Sequence, residues 1–422
     1  MLISKPGRVA LIVAGCLAPV FAHATNGYFS HGYGIKAKGM AGVGIALPQD
    51  ALAAATNPAG MAFVGNRLDL GLDIFMPRRG ADIVGNMSPA PYNLNGSYSG
   101  DGSKTFYIPE FGYNRMINPQ LALGVSVYGN GGMNTTYNSS PFAAIGGSNP
   151  AGVDLSQLFI APTLAYKITP NHSLGISLNF AYQRFSADGL GPFAGLSSDP
   201  SKLSNVGDDT STGWGVRVGW TGRVSDMVTL GATYQSKTQM SKFDKYAGLY
   251  AEQGAFDIPA NYGVGIAVKA TPKLTVAADV QTIEYSGIPS IANPVSNLFA
   301  GNPLGSTNGP GFGWRDMTVF KLGAAYEVNS NLTLRGGYST GRQPIPSGET
   351  FFNIYAPGVV EDHFTLGATW LLGGGQEFSV SYMHAFKKTI NGSSSMPAML
   401  GGGEANLHMY EDSLGAAYAW RF

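Results

Sequence analysis

The sequence predicts an all-β membrane protein, an outer-membrane barrel of about fourteen antiparallel strands with an N-terminal segment plugging its lumen. Three observations carry this prediction. Apolar residues recur with a period of two along most of the chain, the face they form is almost free of charge, and close strand pairs alternate with long loops.

Composition sets the frame. Only 12% of the 422 residues are charged, against the usual ~25%, beside 44% hydrophobic residues, 59 Gly and 21 Tyr. Mean hydropathy is +0.02. Low charge with abundant Gly and aromatic residues suits an outer surface that meets lipid. The 26 basic residues balance 26 acidic ones, which gives no electrostatic case for binding nucleic acid, since phosphate contacts need a basic excess or patch.

The chain starts with a targeting signature. Lys5 and Arg8 precede an apolar run from Val9 to Phe21, and Ala22-His23-Ala24 supplies a small-residue cleavage site. Residues 1–24 therefore read as a signal peptide, and Thr25 as the first mature residue. The competing reading is a lipoprotein box at Val13-Ala14-Gly15-Cys16 with a lipidated Cys16. It would shorten the apolar run to seven residues and leave the Ala-x-Ala site unused. With cleavage before Thr25 the mature chain has no cysteine, so its stability has to come from something other than disulfides. A closed hydrogen-bonded barrel is one such source.

Beyond the signal, no stretch approaches the ~18 consecutive apolar residues of a membrane helix, and the period is two. "RLDLGLDIFMP" places Leu68, Leu70, Leu72, Ile74 and Met76 on one face and Arg67, Asp69, Gly71, Asp73 and Phe75 on the other. "SLGISLNFAY" and "GWGVRVGW" alternate in the same way. About fourteen such runs start near residues 67, 104, 121, 157, 172, 212, 227, 260, 273, 315, 331, 361, 376 and 406. Turn pairs such as Asn118-Pro119, Pro170-Asn171 and Ser330-Asn331 separate close strands, while Gly/Pro/Ser-rich gaps such as 137–152 and 289–313 separate others. Short periplasmic turns and long extracellular loops follow. A soluble sandwich would also alternate, but its outward face would carry charge. The closing run puts Leu414, Ala416, Tyr418, Trp420 and the terminal Phe422 on the lipid face.

Residues 25–66 show no alternation. Their Ala- and Gly-rich sequence suits close packing inside a barrel, which predicts a plug over 25–66 and a barrel over 67–422. Asp50 can cap a short helix over Ala51–Ala55, and Pro58 is expected to end it, turning the chain toward the first strand at Asn57-Pro58-Ala59.

The Gly-rich segment, Asn57-Pro58-Ala59, "YGNGGM" from Tyr128 to Met133 and "SYMHAFKKTIN" from Ser381 to Asn391 occur in the order found in the bacterial FadL family (OmpP1/FadL/TodX). The resemblance covers essentially the whole mature chain. It implies outer-membrane uptake of hydrophobic molecules by loop capture, lumenal binding, plug movement and lateral exit at a kinked third strand. Gly129, Asn130, Gly131 and Gly132 fall where that kink is expected, and three glycines in four positions suit bent backbone.

The resemblance also implies lumenal cations for a fatty-acid carboxylate. Arg315 resembles the position of a family lysine, and Arg184 that of a family arginine. Arg315 shares lumenal parity with Lys321, and Arg217 and Arg335 are lumenal by alternation. Arg184 shares parity with Phe180 and Tyr182, so it faces the lumen only if a bulge intervenes. The alternative for any one of them is a solvated charge paired with Asp69, Asp73 or Asp279. Two arginines at matched positions favour long-chain fatty acids over monoaromatic hydrocarbons such as toluene. Other partners expected are lipopolysaccharide and outer-membrane lipid and the barrel-assembly machinery, with the barrel acting as a monomer.

No enzyme is read here. Gly337 to Gly341 fits G-x-S-x-G but lies at a strand's end, without the strand-to-helix turn that exposes a nucleophile. The histidines lack metal spacing, and no cofactor is implied. A barrel lipase with its triad spread across strands is the remote alternative.

Overall fold

In the computed structural model, which describes residues 26–422, the alternating runs become fourteen long strands of one closed antiparallel barrel. The signal peptide, Thr25 and Cys16 lie outside the described residues. The strands are β1 Arg67–Val84, β2 Phe106–Met116, β3 Leu121–Tyr137, β4 Ala151–Thr169, β5 His172–Asp188, β6 Asp209–Arg223 and β7 Val228–Gln235. They continue as β8 Asn261–Lys269, β9 Leu274–Ile283, β10 Met317–Asn329, β11 Leu332–Gly341, β12 Asp362–Gly373, β13 Gln376–Ile390 and β14 Glu404–Arg421. Two short strands, Gly96–Ser99 and Gln239–Met240, add to β1 and β6. Closure is made by β1 on β14, in register from Arg67 opposite Arg421 to Val84 opposite Glu404.

Consecutive barrel strands are joined by two- to four-residue turns at one end and by loops of 13 to 33 residues at the other. Closure pairs the first strand with the last and leaves the alternation to sort side chains. Leu174, Ile176, Leu178, Phe180 and Tyr182 are exposed outward, while Ser173, Ser177, Asn179 and Gln183 are buried inward. The run expected from 157 starts earlier, at Ala151, because the upper half of β3 continues the ladder with Ala151–Gln157.

Residues 26–66 run through the barrel interior. They form a four-residue helix α1, Ile35–Lys38, and two 3-10 turns, Ala53–Ala55 and Pro58–Phe63. The expected helix over 51–55 is thus a 3-10 turn, and Asp50 supports it by accepting a hydrogen bond from the Leu52 N–H at 3.0 Å. Pro58 does not merely end a helix. It is the first residue of the next turn, whose cap is the Asn57 side chain accepting from the Ala59 N–H at 3.1 Å. Proline is at home there, because a first-turn N–H has no intrahelical acceptor to lose.

Glycines in the wall make room for this segment. Gly175 and Gly219 face each other across β5 and β6, and Asn57-Pro58-Ala59 lies against them. Gly231 and Gly265 pair across β7 and β8 under Ile45-Ala46. Gly323 and Gly337 pair across β10 and β11 under Met40-Ala41. A Cβ at any of the six would overlap interior atoms, which is why strand interiors carry a residue that otherwise weakens them.

Buried ion pairs complete the attachment. Lys38 Nζ lies 2.7 Å from Asp73 and 2.8 Å from Glu110. Glu377 receives Lys36, Arg67 and Arg421. Asp69 binds Arg67 at 2.7 Å and also accepts from the Ala51 N–H at 3.0 Å. The acids expected to neutralise lumen arginines are therefore largely engaged with the interior segment.

Candidate ligand cavity and lateral window

The long loops fold over the barrel mouth around an apolar cavity. Phe142, Phe193 and Phe351 come from three different loops and meet edge to face, with ring centroids 5.0 to 5.9 Å apart. Phe185 at the top of β5 lies 4.8 Å from the Tyr250 ring, and Leu304 and Phe312 contribute from the loop before β10. Among the described residues no charged side chain lines the cavity. Burial pushes the Tyr250 phenol well up, so it stays neutral, and its hydroxyl has no hydrogen-bond partner among the described residues. Such a lining favours a hydrocarbon and offers an ion nothing.

Lower in the lumen, β6, β7 and β8 bring together Arg217, Gln235 and Asn261, which are in register neighbours. Arg217 is 2% exposed. Its Nη atoms donate to the Thr56 carbonyl at 3.0 Å, Gln235 Oε1 at 2.5 Å and Asn261 Oδ1 at 3.3 Å. Arg217 Nε, Gln235 Nε2 and Asn261 Nδ2 are buried donors without an acceptor among the described residues.

The other expected cations behave differently. Lys321 Nζ donates to the His31 carbonyl at 2.9 Å and Gln281 Oε1 at 3.2 Å. Its cross-strand neighbour Asp279 accepts from the Gly44 and Ile45 N–H groups at 2.8 and 3.0 Å. Arg335 donates to Gln49 Oε1 at 2.9 Å and Thr369 Oγ1 at 2.7 Å. Both hold the interior segment.

Arg184 and Arg315 are not lumenal. No bulge interrupts β5 between Phe180 and Arg184, so Arg184 keeps the outward parity of Tyr182 and pairs with Asp154 at 2.9 Å and Asp208 at 3.4 Å. Arg315 precedes β10, whose inward residues are Met317, Val319 and Lys321. The stretch from Gly313 to Asp316 is irregular, so strand parity does not reach Arg315, which is exposed.

The glycine run of β3 bends the wall. Between Gly129 and Gly131 the register with β4 shifts by one residue, and Asn130 is the extra one. Ser126, Tyr128 and Asn130 are buried inward below the bulge, and Met133, Thr135 and Tyr137 above it, the switch of parity that one inserted residue causes. Pairing of β3 with β2 stops at Val127 opposite Phe111, although β2 stays paired with β1 up to Phe106. The resulting window is closed from inside by the chain's first described residues. Phe29 bridges to Gly131, the Gly132 N–H donates to the Tyr28 carbonyl at 2.8 Å, and the Ser30 N–H to the Asn130 carbonyl at 3.0 Å. Asn130 also accepts from the Tyr33 hydroxyl at 3.1 Å and donates to Gln157 at 2.8 Å. Arg79, buried on β1, reaches over the window to the Asn134 carbonyl at 2.7 Å. Sequence reasoning missed Arg79, although an arginine on the inward parity of β1 was a signal.

A family profile described as outer membrane protein transport protein (OMPP1/FadL/TodX) matches residues 21–422. The chain belongs to this family. Its members are transporters rather than enzymes, so this chain carries hydrophobic compounds across the outer membrane of a Gram-negative cell. A long-chain fatty acid transport protein of Salmonella typhi is 24% identical over 321 residues, 68% of this chain and 72% of that one. A Pseudomonas aeruginosa FadL homologue superposes with a TM-score of 0.72 at 18% identity, over 94% of this chain and 100% of that one. The Pseudomonas putida toluene transporter TodX superposes with a TM-score of 0.69 at 19% identity, over 94% and 100%. At these identities the two superpositions establish the shared barrel fold.

Proposed function

We propose that the chain takes up long-chain fatty acids, the apolar cavity receiving the acyl chain and Arg217 the carboxylate. The observation that supports this most is the environment of Arg217. It is buried, takes part in no ion pair among the described residues, and adjoins two amide donors that lack acceptors. An unpaired buried charge is several kcal/mol unfavourable, and a carboxylate accepting from a guanidinium fork relieves it. Length supports the same reading. Phe185 lies eight residues along β5 from Ser177, which faces Arg217, roughly 26 Å at ~3.3 Å per residue. Sixteen extended carbons span roughly 20 Å, whereas one aromatic ring reaches either end but not both.

The route we infer runs from the loops into the cavity and down the lumen as residues 25–66 shift like a plug. It leaves through the β2–β3 window when Tyr28–Ser30 withdraw from Gly131. A single barrel suffices, inserted by the barrel-assembly machinery beneath the lipopolysaccharide.

A second reading, uptake of monoaromatic hydrocarbons, draws on the uncharged cavity lining. Calorimetric titration of the purified protein in nanodiscs distinguishes the two. Oleate should bind wild type at least tenfold more tightly than Arg217→Gln, because a charged hydrogen bond contributes about 1.5–3 kcal/mol. Equal oleate affinity for both proteins removes Arg217 from the head-group site. Binding of toluene without oleate replaces the first reading by the second.

A further inference from the structure

The outward position of Arg315 gives it a different partner. With Asp316 and Arg342 it lines an open recess bordered by Thr318, Phe320, Ile345 and Ile390. Thr318 and Phe320 are on the outward parity of β10, Phe320 being 56% exposed, so the recess opens on the lipid side of the barrel. Its height follows from the same strand. Phe320 and Tyr326 are outward aromatics six residues apart, about 20 Å along the strand at ~3.3 Å per residue and roughly 15 Å across the membrane at the ~35–45° tilt of such barrels, within the ~25 Å apolar band. Tyr326 is at the short-turn end and Phe320 at the loop end. Arg315 and Arg342 lie beyond Phe320 toward the loop end, the side of the outer-leaflet head groups.

Neither arginine takes part in an ion pair among the described residues. The nearby acids have partners of their own, although Glu349 lies close enough to Arg315 for the cation to offset part of the upward push of burial on its carboxyl. Asp316 accepts from the Ser286 N–H at 2.8 Å, Glu349 from the Val295 N–H at 2.9 Å, and Glu361 from Lys388 and from the Gln343 N–H at 3.2 Å. The Arg315 N–H donates to the Pro344 carbonyl at 2.9 Å, which ties the two arginine-bearing segments together. Two guanidinium forks above an apolar floor are complementary to a phosphate that carries acyl chains, since arginine binds phosphate through paired hydrogen bonds and remains charged beside hydrocarbon.

We propose that this recess is a binding site for a phosphorylated glycolipid of the outer leaflet, the lipid A portion of lipopolysaccharide. Arg315 and Arg342 hold a glucosamine phosphate, and Phe320, Ile345 and Ile390 pack against an acyl chain. The site lies outside the lumen and does not depend on which substrate the barrel carries.

The test is native mass spectrometry of the full chain released from nanodiscs containing bisphosphorylated lipid A, with dephosphorylated lipid A and phosphatidylglycerol in parallel. Wild type should retain one bisphosphorylated lipid A, and Arg315→Gln/Arg342→Gln should lose that retention at least tenfold. Arg315→Lys/Arg342→Lys should fall between them, because it keeps the charge without the fork. Dephosphorylated lipid A should not be retained, and millimolar inorganic phosphate should not displace the lipid. Heat-modifiable gel migration checks that each variant is a folded barrel. Equal retention by wild type and the Gln variant overturns the proposal, as does retention of dephosphorylated lipid A. Equal retention of phosphatidylglycerol would show a general anionic-lipid contact in place of a lipid A site, and displacement by phosphate would show an ion site only.

Discussion

Replacing Asn57 with Ala should release the interior segment while leaving the barrel folded. The Asn57 side chain is 1% exposed and donates to the Ile45 carbonyl at 2.7 Å, the Trp220 carbonyl at 2.9 Å and Thr221 Oγ1 at 3.0 Å. It also accepts from the Ala59 N–H. It thus ties the two ends of the segment's second half to each other and to β6. Losing the cap costs about 1 kcal/mol, and stranding the buried Ile45 and Trp220 carbonyls costs about 1–3 kcal/mol each. The sum is about 3–7 kcal/mol against docking of residues 45–63. None of it falls on the ladders that close the barrel. Hydrogen exchange followed by mass spectrometry in nanodiscs should show protection lost over 45–63 by a factor of at least 10², since 1.4 kcal/mol corresponds to tenfold. Protection of β1 and β14 should be unchanged. Asn57→Asp keeps the cap acceptor but loses the amide donors, and should fall in between. Unchanged exchange over 45–63 in Asn57→Ala would refute the reasoning, and loss of protection throughout the barrel would show that the residue supports the wall instead.

Three further outcomes follow from the same packing. A Cβ at Gly131 would overlap the Tyr28 carbonyl oxygen, so Gly131→Val should push Tyr28–Ser30 off the wall. A cysteine placed at Phe29 should then react faster with a lipid-side maleimide, and an unchanged rate would count against the closed window. Lys38→Met leaves Asp73 and Glu110 buried without their shared cation, which should destabilise docking of α1 by about 3–5 kcal/mol and raise single-channel conductance in planar bilayers. Phe193→Ala removes one of three rings meeting over the cavity, and should weaken oleate binding about tenfold in the calorimetric titration while leaving melting of the barrel unchanged.

The barrel was legible because its physics repeats. Each strand carries its own alternation, so one misjudged start, such as 157 for Ala151, leaves the others intact. The outward facing of Arg184 was also available from parity alone, since an unbroken β5 allows nothing else. Arg315 was misplaced by extending a strand's parity through residues that do not belong to it. Asn57-Pro58-Ala59 stood out in the sequence, but its seat did not. Gly175 and Gly219 are separated by forty-three intervening residues and become one pocket only through the β5–β6 register. The closure of the window is harder still to read, because the bridge from Phe29 to Gly131 joins a segment without periodicity to an irregular point in a strand. The apolar cavity is assembled from loops that share no spacing, and there the sequence offers only a surplus of Phe.

The account turns on whether the unpaired Arg217 serves a substrate carboxylate, and the most direct measurement is uptake by cells that carry this protein as their only transporter of the kind. Initial rates of labelled oleate and labelled toluene would be compared for wild type and Arg217→Gln at equal amounts of heat-modifiable protein in the outer membrane. The account predicts oleate uptake by wild type and a fall of at least tenfold in Arg217→Gln, with any toluene uptake equal in the two. Oleate uptake that is the same in both strains, or absent from wild type while toluene enters, would contradict it.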